Sequence, residues 1–294
     1  MSNESKGMIL GVLGVICFGL TLPATRIVIP FFEPIFIGLG RAVVASFVAA
    51  IFLIVTKSKR PSIHQFYQLI GVAGGIVVGF PILSAWAMQS VPASHGGVVL
   101  GIMPLATAIV GALVSNEKPS LYFWLFGALG SVIVICYALL QGFGDFQTGD
   151  FFLLGAILSA ATGYAIGGKL SKEIGGWQVI CWALVISFPF ILVPAWMQAP
   201  EKSIDSLPAN VIISFLYLAL VSQFFGFFLW NKGLALGGIA RVSQTMLFQP
   251  FVTLFASAFL ISENISFETI LFTLLIVSTV VISKKMPIYE KEII

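Results

Sequence analysis

Long apolar segments are the feature of this sequence that most restricts its fold. Ten of them follow one another, separated by short connections such as KSKRPS and NEKPS that hold charges and turn-forming residues. About 20 apolar residues in a helix cross the roughly 30 Å hydrocarbon core of a bilayer, where each backbone polar group must be paired. The chain is therefore predicted to be an all-α polytopic membrane protein. The ten spans are placed near residues 7–29, 34–56, 65–88, 93–115, 120–141, 150–171, 177–197, 209–231, 239–262 and 266–284.

Composition supports this class. Of 294 residues, 59% are hydrophobic and 9% are charged, and the mean hydropathy is +1.05. Such a chain has too few polar side chains to cover the surface of a water-soluble domain. Its three cysteines lie within apolar runs and are expected to be small buried residues.

The positive charges predict an orientation. Lysine and arginine near spans stay on the cytoplasmic side. With ten spans, one side receives Lys6, Lys57, Lys59, Arg60, Lys118, Lys169, Lys172, Lys232, Lys284, Lys285 and Lys291. The opposite loops hold Glu33, Asp145, Asp150, Glu201, Asp205 and a single lysine, Lys202. Both termini are therefore predicted to be cytoplasmic, in a chain of the cell's inner membrane.

Two proline-interrupted segments resemble each other. VVLGIMPLATAIVGALVSNE, at 98–117, aligns without a gap on QTMLFQPFVTLFASAFLISE, at 244–263. The alignment matches Pro104 with Pro250, Thr107 with Thr253, Ala112 with Ala258 and Glu117 with Glu263, at an offset of 146 residues. This offset carries span four onto span nine, so residues 1–144 and 145–294 are predicted to be five-span repeats. Five is odd, so the second repeat is inverted, an arrangement that places a site at the interface of the halves.

These segments also resemble a known family. AMQSVPASHGGVVLGIMPLATAIVGALVSNEKPS, its partner GLALGGIARVSQTMLFQPFVTLFASAFLISENIS, and Arg41 in GLGRAV are similar to the EamA-type branch of the drug/metabolite transporter superfamily. The resemblance covers nearly the whole chain. It implies a carrier of a small organic metabolite, such as an amino acid or a similar amphiphilic solute.

Polar and aromatic side chains within the spans are the candidates for binding a substrate, because a cavity between helices needs a few polar groups among apolar ones. Arg41 is expected either to hold a substrate carboxylate or to bond carbonyls freed by a helix kink. His95 is expected to be either a satisfied interfacial side chain or a proton carrier. Each tryptophan belongs either to the cavity or to a lipid-interface belt. The full candidate set is Arg41, Trp86, His95, Tyr164, Trp182, Gln223, Gln244 and Gln249.

Prolines and glycines are expected to shape the helices. Pro104 and Pro250 each remove a backbone donor and should kink spans four and nine beside a cavity. Small residues at four-residue spacing let helices approach closely in lipid. The glycines predicted to provide this close packing are Gly71, Gly75, Gly79, Gly97, Gly101, Gly163 and Gly167.

Other functions find less support in the sequence. It contains no G-x-x-x-x-G-K-[ST] phosphate loop and no H-E-x-x-H or G-x-S-x-G motif, so no ATP-driven or hydrolytic chemistry is indicated. No metal, cofactor or nucleic-acid partner is expected, and a homodimer is left open. A membrane enzyme or accessory subunit, and a channel, are the alternatives. No carboxylate is placed at mid-membrane, which predicts facilitated diffusion or exchange with His95 as the one possible proton carrier.

Overall fold

The structure, a computed structural model, describes residues 2–115, 117–141, 147–200, 207–284 and 288–290. The predicted loop residues Asp145, Glu201, Lys202 and Asp205, and the tail residues Lys285 and Lys291, lie outside these ranges. Each predicted span coincides with a helical stretch whose ends differ from the prediction by a few residues.

The described residues of the first half form eight α-helices. They are α1 (Asn3–Gly19), α2 (Thr21–Val28), α3 (Pro34–Val55), α4 (Ile63–Val72), α5 (Phe80–Ser90), α6 (Ala93–Val99), α7 (Met103–Ser115) and α8 (Leu121–Gln141). A π-helix, Ala73–Gly79, joins α4 to α5, and a 3₁₀ turn, Leu100–Ile102, joins α6 to α7. Residue preferences explain two of the starts: Pro34 opens α3, and Ser62 with Gln65 forms a capping box before α4.

Seven more α-helices lie in the part of the second half that the structure describes. They are α9 (Thr148–Ile174), α10 (Gly176–Met197), α11 (Ala209–Leu216), α12 (Gly226–Gly237), α13 (Ile239–Ser243), α14 (Phe248–Leu260) and α15 (Phe267–Lys284). A π-helix, Tyr217–Phe225, joins α11 to α12, and a 3₁₀ turn, Gln244–Leu247, joins α13 to α14. The irregular segments thus recur in the two halves, in the same order.

Seven helical stretches of the described chain are long and apolar enough to cross a membrane: Asn3–Val28, Pro34–Val55, Ile63–Ser90, Ala93–Val114, Thr148–Ile174, Gly176–Met197 and Ala209–Gly237. Two shorter apolar helices, Trp124–Tyr137 and Phe267–Thr279, accompany them. The protein is therefore a polytopic helical membrane protein, and the count of ten spans stays a prediction.

A short pair of strands accompanies the helices of this all-helical bundle. β1 (Glu117–Pro119) pairs antiparallel with β2 (Ile288–Glu290). Both are three residues long and follow the ends of helices α7 and α15. Each strand pairs with a segment far away in the sequence, so the local sequence pattern does not predict either strand.

Packing joins the two halves throughout the bundle. α1 packs against α12 and α14, α3 against α10, α9 against α4, α5 and α7, and α8 against α15. This packing is symmetric with respect to the two halves. If each of the first five predicted spans changes places with its counterpart five spans later, the same pairs of neighbours result. The apolar core, with Val15, Leu69, Ile157 and Leu184 fully buried or nearly so, lies between the halves.

Two clefts mark opposite ends of the bundle. One, of about 460 Å³, lies where Phe32 and Glu33 before α3 meet Gln89 of α5 and Gln198 after α10. The other, of about 350 Å³, is lined by residues 58–61 after α3 together with Glu173 and Gln178. α3 runs from the first cleft to the second. We call these the Glu33 end and the Arg60 end.

Candidate functional site

Arg41 is a buried cation in the second span. Its side chain is 2% exposed, and both Nε and Nη2 donate to Oε1 of Gln223, at 3.1 and 2.7 Å. Among the described residues no carboxylate pairs with it. A buried guanidinium without an opposite charge is costly, because neither water nor an anion compensates its charge. Arg41 therefore has the properties of a group that receives an anion.

Gln223 connects two irregular helical segments. It lies in the π-helix Tyr217–Phe225, and its Nε2 donates to the carbonyl oxygen of Ile76 at 3.0 Å. Ile76 lies in the other π-helix, Ala73–Gly79. π-helical turns alter the backbone hydrogen-bond ladder and are frequent at functional sites. The amide therefore joins the irregular part of each half to the arginine between them.

Aromatic side chains form one wall of this region. Tyr164 lies close enough to the Arg41 guanidinium for the two side chains to interact electrostatically. Its ring centroid is 5.4 Å from that of Trp230 and 6.2 Å from that of Phe18. Phe18 in turn packs against Phe227, with 4.9 Å between centroids. The buried aromatic cluster thus lies near the guanidinium of Arg41.

Three buried polar atoms of predicted or neighbouring site residues have no hydrogen-bond partner in the described part of the chain. Nε1 of Trp230 is one, and the side chain of Trp230 is fully buried. The amide oxygens of Gln244 and Gln249, both 3% exposed, are two others. Buried polar groups are normally paired, so an unpaired donor and acceptors require an explanation. A bound solute or water would supply the missing partners.

Three other predicted site residues lie elsewhere. Trp86 packs against Phe152, with 5.4 Å between ring centroids. Trp182 lines the cleft at the Arg60 end. His95 belongs to a third cluster, described below. The structure therefore brings Arg41, Tyr164 and Gln223 together, and it places Trp86, Trp182 and His95 in other surroundings.

His95 forms a hydrogen-bonded pair that the sequence pattern did not reveal. Its Nε2 lies 2.6 Å from Oδ1 of Asp150, and the two side chains are 4% and 3% exposed. Asp150 was predicted to lie in an outer loop. Helix α9 begins before it, at Thr148, and Oδ2 accepts the backbone N–H of Gln147. This capping position turns the carboxylate inward, which corrects the loop placement.

The two prolines lie where spans four and nine change their helical form. The 3₁₀ turn Leu100–Ile102 precedes Pro104, and the 3₁₀ turn Gln244–Leu247 precedes Pro250. Both prolines are buried. A proline provides no backbone donor to the preceding turn, which favours such a local departure from α-helix.

Close approach of helices is visible at the predicted glycines. A Cβ on Gly75 would lie 2.6 Å from the carbonyl oxygen of Ser159, and one on Gly163 would lie 2.5 Å from Ile76. Six of the seven predicted glycines have such a contact, at distances of 2.0–2.9 Å: Gly71, Gly75, Gly79, Gly97, Gly101 and Gly163. Gly167 differs, because its nearest neighbour would be Asn231 Oδ1 at 3.5 Å, so space there does not require glycine.

Phe18, Phe227 and Asp150 contribute to these clusters without having been predicted. The chain contains 27 phenylalanines, most of them in apolar segments, so periodicity alone does not distinguish two that meet Tyr164. Asp150 is the third residue of α9, and its carboxylate accepts the backbone N–H of the N-cap residue, Gln147. An acidic or amide side chain at that position of a helix commonly bonds back in this way, which was the available signal.

Comparison with known proteins defines the class. The chain matches the EamA-like transporter family twice, over residues 5–139 and 147–284. It is 37% identical to the "Uncharacterized transporter YdeK" of Bacillus subtilis strain 168, over 97% of this chain and 99% of that one. It is 26% identical to the "Probable amino-acid metabolite efflux pump" of Salmonella typhimurium strain LT2, over 89% of each.

More distant comparisons agree. A "Probable terminal-alkyne amino-acid exporter" of Streptantibioticus cattleyicolor is 23% identical, over 85% of this chain and 84% of its own. One solved crystal structure shares the fold, with a TM-score of 0.70 at 13% identity over 97% of this chain and 99% of that one. The class is thus that of polytopic membrane transporters of small metabolites. The chain belongs to the EamA-like transporter family.

Proposed function

We propose that this protein carries a small organic acid of amphiphilic character, such as an amino acid, across the inner membrane by alternating access. Arg41 binds the carboxylate of the solute. The aromatic cluster of Phe18, Tyr164 and Trp230 contacts its apolar part. Residues 1–144 and 145–294 form two inverted repeats that move relative to each other during transport.

The burial of Arg41, for which no described residue provides an anionic partner, carries the proposal. A carboxylate accepts two parallel bonds from a guanidinium, and charge-assisted bonds are stronger than those to a neutral amide. An incoming carboxylate can therefore displace Gln223 Oε1 from Nε and Nη2. Arg41 then gains an opposite charge, and Gln223 is free to bond elsewhere.

Unpaired atoms support an amphiphilic solute that also carries polar groups. The indole N–H of Trp230 can donate, and the amide oxygens of Gln244 and Gln249 can accept, for example from an ammonium group. A site with few polar groups among aromatic side chains suits a molecule with both characters. The printed names of the Salmonella and Streptantibioticus relatives, which refer to amino-acid transport, support this chemical class for the chain.

Several relationships support a movement of the two halves. The family matches twice, and the π-helices and 3₁₀ turns recur in both halves.

The charged residues support an orientation in the membrane. Lysines and arginines gather at the Arg60 end, where Lys169 bonds the carbonyl oxygen of Val114. By the positive-inside rule that end is cytoplasmic, and the Glu33 end faces outward.

Ligand-induced thermal stabilisation of the purified protein tests the proposed chemistry. We expect amino acids with apolar side chains to raise the unfolding temperature, because a ligand that binds the folded state stabilises it by mass action. Their amides, which lack the carboxylate, should have little effect. The Arg41→Gln variant should lose the stabilisation, and Lys172→Gln, which removes an exposed cation, should keep it. Equal stabilisation by acids and amides would reject the carboxylate at Arg41.

A further inference from the structure

Two pairs of side chains tie the halves together at opposite ends of the bundle. His95 of α6 pairs with Asp150 of α9, with 2.6 Å between Nε2 and Oδ1. Arg241 of α13 pairs with Glu4 of α1, with 2.7 Å between Nη1 and Oε1. Each pair joins a residue before position 145 to one after it. Opening either end by moving the halves apart must therefore break the pair at that end.

The two pairs are related by the repeat. Arg241 follows His95 by 146 residues, and Asp150 follows Glu4 by the same 146 residues, which is also the offset of the two prolines. The pair near Asp150 lies at the Glu33 end, since Gly149 packs against Ser90 of α5. The pair at Arg241 lies at the other end, where Gly7 packs against Gly237. The same position thus holds a permanently charged arginine in one half and a titratable histidine in the other.

Exposure separates the pairs further. The side chains of Arg241 and Glu4 are 44% and 53% exposed, whereas those of His95 and Asp150 are 4% and 3% exposed. Water therefore solvates the first pair in any charge state. The second pair is enclosed, so its net charge matters much more.

The surroundings of His95 are negative and aromatic. Glu263 accepts the backbone N–H groups of Ala93 and Ser94, each at 2.9 Å, one turn from the imidazole. The Tyr137 ring stacks on that of His95, with 5.3 Å between centroids. Toward the Glu33 end, the titratable and charged groups on the elements packed around the pair are Cys136 and Tyr137 of α8, Glu263 after α14, Glu268 of α15 and Arg26 of α2. Arg26 bonds the carbonyl oxygen of Met88.

Protonation of His95 stabilises the enclosed pair in these surroundings. With a neutral imidazole the enclosed pair carries the charge of the carboxylate, and burying an uncompensated charge is costly. With an imidazolium the pair is net neutral, and the cation also contacts the face of an aromatic ring. When this end opens, water solvates each group separately and that advantage of the proton disappears.

We propose that His95 and Asp150 form a proton-binding site, which holds the proton while the Glu33 end is closed and releases it when that end opens. The ligand of the site is a proton taken from the compartment that the Glu33 end faces. One proton is thereby linked to each opening and closing of this end. The Glu4–Arg241 pair closes the other end without such a proton. The site needs no solute at Arg41, but it rests on the alternating access proposed above, because the proton is linked to opening of the Glu33 end.

The charge of His95 can be measured directly by NMR of isotope-labelled histidine in lipid nanodiscs. The His64→Gln variant leaves His95 as the single histidine of the chain. At about pH 7.5 an imidazole with an ordinary pKa of about 6.5 is protonated in roughly one molecule in ten. We expect an imidazolium signal from His95 at this pH, and a neutral ring in the Asp150→Asn variant. A neutral ring with Asp150 in place would overturn the proposal.

Opening of the Glu33 end provides a second readout. Hydrogen–deuterium exchange of residues 93–99, corrected for intrinsic rates, should increase between about pH 6.5 and pH 8, by up to about tenfold per pH unit for one linked proton. His95→Gln should abolish this pH dependence. Residues 5–11, beside the Glu4–Arg241 pair, should exchange independently of pH in both proteins. Exchange at 93–99 that is independent of pH in the wild type would overturn the proposal, even if Asp150→Asn does not fold.

Discussion

Two nitrogens of Arg41 donate to one oxygen of Gln223: Nε and Nη2 lie 3.1 and 2.7 Å from Oε1 of the amide. The carbonyl of an amide is a neutral counterpart of a carboxylate oxygen. Gln223 therefore occupies, in this conformation, the position that a bound carboxylate would take. This relationship makes the proposed binding site open to a test by a one-residue change.

Gln223→Glu should block the site from within. A glutamate would place a carboxylate on Arg41, and the resulting charge-assisted pair is stronger than the native bond. We expect the unfolding temperature to rise or stay unchanged and stabilisation by amino acids to be lost. Gln223→Met, which has similar size and no charge, should reduce affinity by about tenfold or less, the usual range for one neutral hydrogen bond. Normal binding by Gln223→Glu would contradict the role of Arg41.

Neighbouring glycines in the π-helix provide a matched test of helix packing. A Cβ on Gly75 would lie 2.6 Å from the carbonyl of Ser159, whereas one on Gly74 would have no neighbour within 4 Å. Gly75→Ala should cost about 1–3 kcal/mol, the usual effect of overpacking. Gly74→Ala should leave stability nearly unchanged. Thermal unfolding followed by circular dichroism measures both, and equal effects would mean that close packing at Gly75 is unimportant.

The prolines are expected to affect transport more than folding. Pro104→Ala and Pro250→Ala restore a backbone donor and should favour continuous α-helix across the present 3₁₀ turns. We expect near-normal expression and altered transport rates for both variants. Transport by both at wild-type rates would show that the turns are incidental to function.

Orientation can be tested with single cysteines. In a background with Cys17, Cys136 and Cys181 replaced, Glu33→Cys should react with an impermeant thiol reagent added to intact cells. Ser58→Cys, at the cationic end of the bundle, should react only after permeabilisation, because positive residues are retained in the cytoplasm. The reverse labelling pattern would place the His95–Asp150 pair on the cytoplasmic side.

Sequence alone predicted the helices well, because runs of about 20 apolar residues have one main solution in lipid. It also predicted Arg41, Tyr164 and Gln223 as candidates, since polar residues inside spans are costly and few. The break at Leu20 and both π-helices were not predicted, because within a long apolar run periodicity does not separate α-helix from its local variants. Pro23 and Pro81 lie just after two of these irregularities, and each lacks a backbone donor to the preceding turn.

The His95–Asp150 pair was missed for a related reason. Its residues are 55 positions apart, and Asp150 was assigned to a loop although α9 begins before it, at Thr148. Helix ends are the least certain part of any sequence-based assignment. A shift of two residues was enough to move this carboxylate from a loop into an enclosed pair.

Counterflow in proteoliposomes tests the central claim most directly. Vesicles containing the purified protein are loaded with one unlabelled amino acid at a time, and entry of the same labelled amino acid is followed. We predict rapid transient accumulation for at least one amino acid with an apolar side chain, its loss in Arg41→Gln, and its retention in Lys172→Gln. Counterflow that persists in Arg41→Gln would contradict the binding site, and its absence for every amino acid in the wild type would contradict the proposed solute class.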